Sequence, residues 1–188
     1  MIYIKDEEFI RGNCPMTKEE VRILSMAKME IRDGDILLDI GAGTGSISIQ
    51  MSKCSPLGSV TAVEREGEAL KILEKNREKF KAYNMTIVEG DALLVESSMK
   101  QIFDGIFIGG RGGDIEDKII KYSAKLKKGG KFVMNFITID NLYKAMERLK
   151  KLKFETECTQ VAISKTKNRG YMLFSNNSIL LIVNLMLI

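Results

Sequence analysis

Three glycines on alternate positions, Gly41, Gly43 and Gly45, follow a short apolar run ending in an acid, in the stretch LLDIGAGTGSISI from Leu37 to Ile49. Glycine lets the main chain turn sharply and lie against a ligand with no Cβ in the way. A glycine-rich turn between a strand and a helix marks the nucleotide crevice of an open α/β sheet. The spacing narrows the choice of nucleotide. A dinucleotide fingerprint would need glycine at position 46, where Ser46 stands, and no Gly-Lys-Ser/Thr follows to grip phosphates. Without a pyrophosphate to cradle, the close approach suits a smaller, uncharged or zwitterionic group. Asp39, at the strand end, either orders the turn or meets a ligand ammonium. The alternative, a tight βα turn with no ligand, fits three glycines after an acid-ended strand less well.

The rest of the chain alternates strand and helix around that turn. TKEEVRILSMAKM opens with Thr17 and carries Glu20 three positions on, which predicts a helix capped by Thr17. Val21, Leu24 and Lys28 follow with helical spacing, beside Ile23 and Ala27. Strands are predicted at Ile36 to Ile40, SVTAVE, MTIVEG, FDGIFIGG and KFVMNFI. Helices are predicted at SISIQMSKC, EALKILEKNREKFKAY, DIEDKIIKYSAKLKK (stopped at Gly129-Gly130) and IDNLYKAMERLKKL. FETECTQVAIS and YMLFSNNSILLIV come last with no helix between them. This order predicts an α/β fold: a doubly wound seven-stranded sheet, mostly parallel, with an antiparallel C-terminal hairpin. No linker or repeat interrupts 1–188, so one domain is expected.

Two further acids fall at the edge where such sheets bind ligands. Glu64 ends the second strand, 23 residues after Gly41, where a carboxylate accepts from both ribose hydroxyls of an adenosine. Asp91, in EGDA after the third strand, either accepts from an adenine amino group, with Ala92 lining the ring, or caps the next segment. An adenosine site without a phosphate grip, on this order of elements, points to S-adenosyl-L-methionine.

Composition restricts the chemistry further. The 188 residues are enough for a full core without staples. There is no histidine, which removes imidazole metal sites and every mechanism with a histidine base. Cys14, Cys54 and Cys158 lie far apart, so neither a disulfide framework nor a thiolate metal site is expected. Buried or semi-buried thiols in a reducing cytoplasm are the expectation. Charges interrupt MIYIKDEEFIRG too early for a signal peptide. The apolar tail from 183 to 188 extends a run too short for a membrane span. A net charge of +4 demonstrates no nucleic-acid partner.

LDIGAGTG, AVE, GDA and LKKGGKFV stand where the class I methyltransferases of Rossmann-like fold carry their cofactor motifs, and the chain resembles them. A narrower likeness comes from DEEFIRGNCPMTKEEVR, FIGGRGGD and NFITIDNL. Together these resemble the CbiT family, the decarboxylating cobalt-precorrin C15-methyltransferases of cobalamin biosynthesis, from about Asp6 to about Ile182. The resemblance implies that Thr17 contacts the cofactor, with residues 1–30 as a helical segment covering its site. It implies that Gly41, Ala42, Gly43, Thr44 and Gly45 wrap the methionine part, that Glu64 holds the ribose, and that Ala92 faces the adenine. It implies methylation at C15 of a corrin precursor with loss of the C12 acetate carboxyl, and a homotetramer.

Methyl transfer from a sulfonium is an in-line displacement of an already activated group, so positioning carries most of the task. For the carboxylates of a tetrapyrrole, Arg111 in Gly109-Gly110-Arg111-Gly112 is the candidate anchor, because guanidinium pairs with carboxylate in a bidentate way. Arg11 is a further source of charge; Arg169 reads as a solvated residue. The rival readings are a tRNA adenine methyltransferase, a protein carboxyl methyltransferase and a non-catalytic adenosine-binding assembly subunit. The first needs base-stacking aromatics and an added phosphate-binding surface, and the chain has no tryptophan.

Overall fold

The structure, a computed structural model, describes residues 3–109, 114–166 and 173–183. Its strands are β1 (Ile36–Ile40), β2 (Ser59–Glu64), β3 (Met85–Glu89), β4 (Phe103–Gly109), β5 (Leu126–Phe136), β6 (Glu157–Thr166) and β7 (Leu173–Val183). They form one sheet in the order β3-β2-β1-β4-β5-β7-β6. The first five run parallel, and β7 is antiparallel to both β5 and β6. The strand order reverses between β1 and β4, so the ligand crevice of such a sheet falls beyond their carboxyl ends.

Side chains that alternate along the strands feed two cores, one on each face. Leu37, Ala62, Phe107 and Val133 face α1 (Glu19–Met29), α2 (Ser46–Cys54) and α3 (Gly67–Lys79). Leu38, Val63, Ile106, Ile108 and Met134 face α4 (Ala92–Val95), α5 (Ile115–Ser123) and α6 (Ile139–Lys151). Both faces are covered, which is why the central strands read as continuous apolar runs.

Four local expectations are corrected. Thr17 does not cap α1: the helix starts at Glu19 with Lys18 at the cap position and no side-chain cap. The Thr17 carbonyl instead accepts from the Arg22 guanidinium at 2.8 Å. Val21, Arg22, Ser25, Met26 and Met29 are the buried residues of α1, and Leu24 packs half-buried against the same core. Next, α3 ends at Lys79, and Lys81 takes a left-handed φ of 50° that carries the chain out of the helix before Tyr83. Third, α5 stops at Ser123. Leu126 already pairs with Phe103 as the start of β5, and the register then jumps to Gly105 opposite Lys131. Gly129, at φ 79°, lies in that bulge within β5 and caps no helix. Last, Cys158 is exposed, unlike the buried Cys14 and Cys54.

The segment ahead of α1 is tied down by buried polar side chains. Arg22 is fully buried and its guanidinium donates to Asp6 at 3.1 Å, to the Thr17 carbonyl, and to the Ile4 carbonyl at 2.5 Å. It also lies 4.8 Å over the Phe9 ring. Gln50 of α2 accepts from the Ile4 N–H at 3.1 Å. Truncating a buried charge whose partners stay behind is expensive. Arg22→Met, which keeps most of the volume, is expected to lower the unfolding free energy by about 2–4 kcal/mol in urea titrations. An unchanged midpoint would show that the guanidinium holds nothing.

Candidate functional site

The β1–α2 turn is fastened to β2. Gly41 and Ala42 N–H both donate to the Val63 carbonyl, at 2.9 and 3.0 Å, and Gly43 N–H donates to Glu64 Oε2 at 2.7 Å. Gly41, Gly43 and Gly45 all have positive φ, at 77°, 57° and 81°. The three glycines serve different ends. A Cβ on Gly41 would meet no atom within 4 Å, so the main chain there is bare toward a cavity. A Cβ on Gly45 would lie 2.3 Å from Leu73 Cδ1, so that glycine is required by packing against α3.

That cavity, of about 900 Å³, opens over the carboxyl ends of β1, β2, β4 and β5. It brings together Thr17, Asp39, Gly41, Ala42, Gly43, Thr44, Glu64, Asp91, Ala92 and Gly109, all named from sequence. Gly45 does not line it, for the packing reason just given. Arg11 lines it and is exposed. Gly110, Arg111, Gly112, Arg169 and residues 184–188 lie outside the described residues. Sequence reasoning missed Asn13, Pro15, Lys118 and Asn135, which also line the cavity. Asn135 stands in the NFITIDNL stretch, at the same strand-end level as Gly109; that position was its signal.

The acids are held differently. Glu64 Oε1 accepts from the Arg65 and Glu66 N–H groups at 2.8 and 2.9 Å, at the start of α3. Asp91 caps α4 through Leu93 N–H at 2.9 Å and pairs with Arg65 at 2.9 Å. Those two contacts hold its carboxyl below the ordinary aspartate value. Asp91 thus performs the capping role foreseen for it and still faces the cavity. The Tyr122 hydroxyl, donating to the Ala92 carbonyl at 2.6 Å, fixes the following residue.

Asp39 is the exception. It is 1% exposed, its Oδ2 accepts from the Ser48 hydroxyl, and its Oδ1 is buried without a partner among the described residues. Burial pushes its pKa up to about 7; the Glu64 charge adds to the rise and the Ser48 hydrogen bond opposes it. Thr44 Oγ1, in the same turn, is likewise buried and unpartnered. Interiors seldom leave polar atoms unpaired unless a ligand or ion completes them. The donor set is therefore one that fits a small zwitterion: a carboxylate awaiting a cation, bare main chain at Gly41, and a second carboxylate one strand over.

An open α/β sheet in this order, with a glycine turn after β1 and an acid at the end of β2, defines the Rossmann-like methyltransferase fold. Within it, residues 8–184 match the precorrin methyltransferase domain, and the chain belongs to that family. A probable cobalt-precorrin-6B C(15)-methyltransferase (decarboxylating) of Sulfurisphaera tokodaii is 37% identical over 95% of each chain. The cobalt-precorrin-6B C(15)-methyltransferase (decarboxylating) of Salmonella typhimurium is 37% identical over 95% of this chain and 94% of its own. The crystal structure of precorrin-6y C5,15-methyltransferase from Geobacter metallireducens superposes with a TM-score of 0.92. It is 36% identical, and the match covers 98% of this chain and 97% of that one. Among the described residues no helix is long and apolar enough to cross a membrane.

The Asp39 carboxyl gives a pH signature. It ionises near 7 in the folded protein and near 3.9 in an unfolded chain, so the native state holds its proton more tightly. The stability that proton confers is complete below about pH 4 and is lost as pH rises toward 7. Asp39→Asn is expected to remove this slope and to be more stable than the parent at pH 8 by on the order of 2–4 kcal/mol. Urea midpoints at pH 5 and pH 8 measure it; parallel pH dependence in parent and variant would contradict the assignment.

Proposed function

We propose that this chain is an S-adenosyl-L-methionine-dependent methyltransferase acting on C15 of cobalt-precorrin-6B, with loss of the C12 acetate carboxyl as carbon dioxide, in cobalamin biosynthesis. Family membership and the named relatives support the acceptor. The single observation in the site that carries the donor is Asp39 Oδ1, buried, unpartnered among the described residues and part of a residue that lines the cavity beside bare main chain.

In this reading Asp39 takes the ammonium of the methionine part, and Gly41, Ala42, Gly43 and Thr44 lie against it. Glu64 receives the ribose hydroxyls on the lone pairs its main-chain partners leave free. Asp91 and Ala92 border the adenine, and Thr17, in the segment ahead of α1, closes the other side. S-adenosyl-L-methionine supplies a methyl group already activated on a sulfonium. The chain's own residues therefore bind, orient and exclude water. A tetrapyrrole meso carbon is electron-rich and enamine-like, so no strong base is asked of a chain that has no histidine. Arg111 is proposed as an anchor for the acceptor's carboxylates. The working form is proposed to be a cytoplasmic homotetramer without a nucleic-acid partner; free thiols at Cys14, Cys54 and Cys158 suit a reducing compartment.

Incubation with cobalt-precorrin-6B and the methyl donor is expected to give a product heavier by one methyl and lighter by one carbon dioxide in mass spectrometry. A tetrapyrrole returned unchanged, with methyl groups transferred to tRNA instead, would overturn the reading. Gly43→Val serves as the matched site variant. At φ 57° a β-branched residue is strongly disfavoured, while its Cβ would meet only the Pro15 carbonyl, at 3.5 Å. It is expected to lose S-adenosylhomocysteine affinity by about a hundredfold or more while keeping its circular dichroism spectrum. Normal affinity by calorimetry would count against the glycine turn as the cofactor cradle.

A further inference from the structure

Asn135 stands on β5 directly opposite Gly109 of β4 in the sheet register. With Glu64 ending β2 and the glycine turn ending β1, the strand order puts Asn135 on the far side of that turn from Glu64. Asn135 lines the cavity, and its Nδ2 is shielded from solvent with no hydrogen-bond partner among the described residues. Its Oδ1 lies 3.5 Å from the Ser25 hydroxyl, whose proton goes to the Val21 carbonyl at 2.7 Å. At 3.5 Å neither orientation of the amide makes more than a weak bond to Ser25, so the amide is loosely held by the described residues. A buried unpaired donor destabilises a fold, and an apolar residue of the same size would avoid it. Charges of both signs line the same cavity: Asp39, Glu64, Glu66, Glu68, Asp91 and Asp114 beside Arg11, Lys18, Arg65 and Lys118. Arg11, Lys18 and Lys118 line it, and none of them forms an ion pair with a carboxylate among the described residues. Those three cations are available to an anionic acceptor.

We propose that Asn135 is an acceptor-binding residue whose Nδ2 donates to a carboxylate or carbonyl oxygen of the methyl acceptor. This rests on the acceptor half of the reading given under Proposed function. It separates the cavity into a cofactor side, gripped from β1 and β2, and an acceptor side, gripped from β4 and β5.

The test compares the parent with Asn135→Leu and Asn135→Asp in four measurements. These are thermal midpoint, S-adenosylhomocysteine affinity by calorimetry, kcat/KM for cobalt-precorrin-6B, and binding of uroporphyrin, a polycarboxylate porphyrin, by absorbance titration. Asn135→Leu is expected to be as stable as the parent or more so, to bind S-adenosylhomocysteine within twofold, and to lose ten- to hundredfold in kcat/KM for the acceptor. Asn135→Asp sets a like charge against the acceptor and is expected to lose more. A drop in thermal midpoint for Asn135→Leu with unchanged acceptor kinetics would make the residue structural and overturn the proposal. So would a loss confined to S-adenosylhomocysteine affinity, or full activity of Asn135→Asp, which would show the side chain accepting instead of donating. If the parent itself turns over no cobalt-precorrin-6B, the acceptor named under Proposed function fails. The porphyrin titration then decides Asn135 alone: weaker binding in both variants upholds its donor role, and equal binding sinks it.

Discussion

The Glu64 carboxylate is the contact on which the site's shape depends. One oxygen accepts from Gly43 N–H and the other from Arg65 and Glu66 N–H. Three main-chain donors from two separate loops therefore converge on one side chain that is 8% exposed. The carboxylate also sits at the amino end of α3, where helix dipoles favour negative charge. Together with the paired bonds from Gly41 and Ala42 to Val63, it locks the β1 turn onto the end of β2. The same charge reaches Asp39 and helps to raise its pKa. A single residue thus helps to set the curve of the turn and adds to the effect of burial on the acid at its base.

The wall facing that turn is built by contacts between residues far apart in sequence. Asn76 of α3 is fully buried, and its amide pairs both ways with the main chain of Ile10, accepting from the N–H and donating to the carbonyl, each at 2.8 Å. It also donates to the Thr44 carbonyl at 2.9 Å. One side chain therefore spaces the segment ahead of α1 from the glycine turn. Arg22 holds the other end of that segment at Ile4, Asp6 and Thr17. A preorganised wall of this kind suits a reaction in which alignment of donor and acceptor supplies most of the rate.

What could be read from sequence was what is decided locally. Strand bounds at Ile36–Ile40 and Ser59–Glu64 followed from apolar runs ending at glycine or acid, because a strand covered on both faces leaves that trace. The glycine turn after β1 was legible for the same reason. The failures share a cause as well. Thr17 looked like a cap because Thr and Glu three apart make one in isolation, but Arg22 claimed its carbonyl, and the helix started later. Gly129-Gly130 looked like a helix stop, yet Leu126 was already buried as a strand residue against Phe103. Gly45 looked like part of the cradle, and only the position of Leu73 shows that it is there for packing. Arg22 and Asn76 left no local trace, since their partners lie up to 66 residues away.

The polar atoms of the cavity divide into two energetic groups. Glu64 and Asp91 spend their hydrogen bonds on main chain and so define where things are. Asp39 Oδ1, Thr44 Oγ1 and Asn135 Nδ2 are buried with no hydrogen-bond partner among the described residues. The first group stabilises the ligand-free fold, and the second lowers its stability. A ligand that completes the second group binds the folded chain only, so its affinity adds directly to native stability. One of these atoms belongs to β1, one to the turn that follows it and one to the end of β5. β4 stands between β1 and β5, so completing Asp39 and completing Asn135 are separate demands on what binds there.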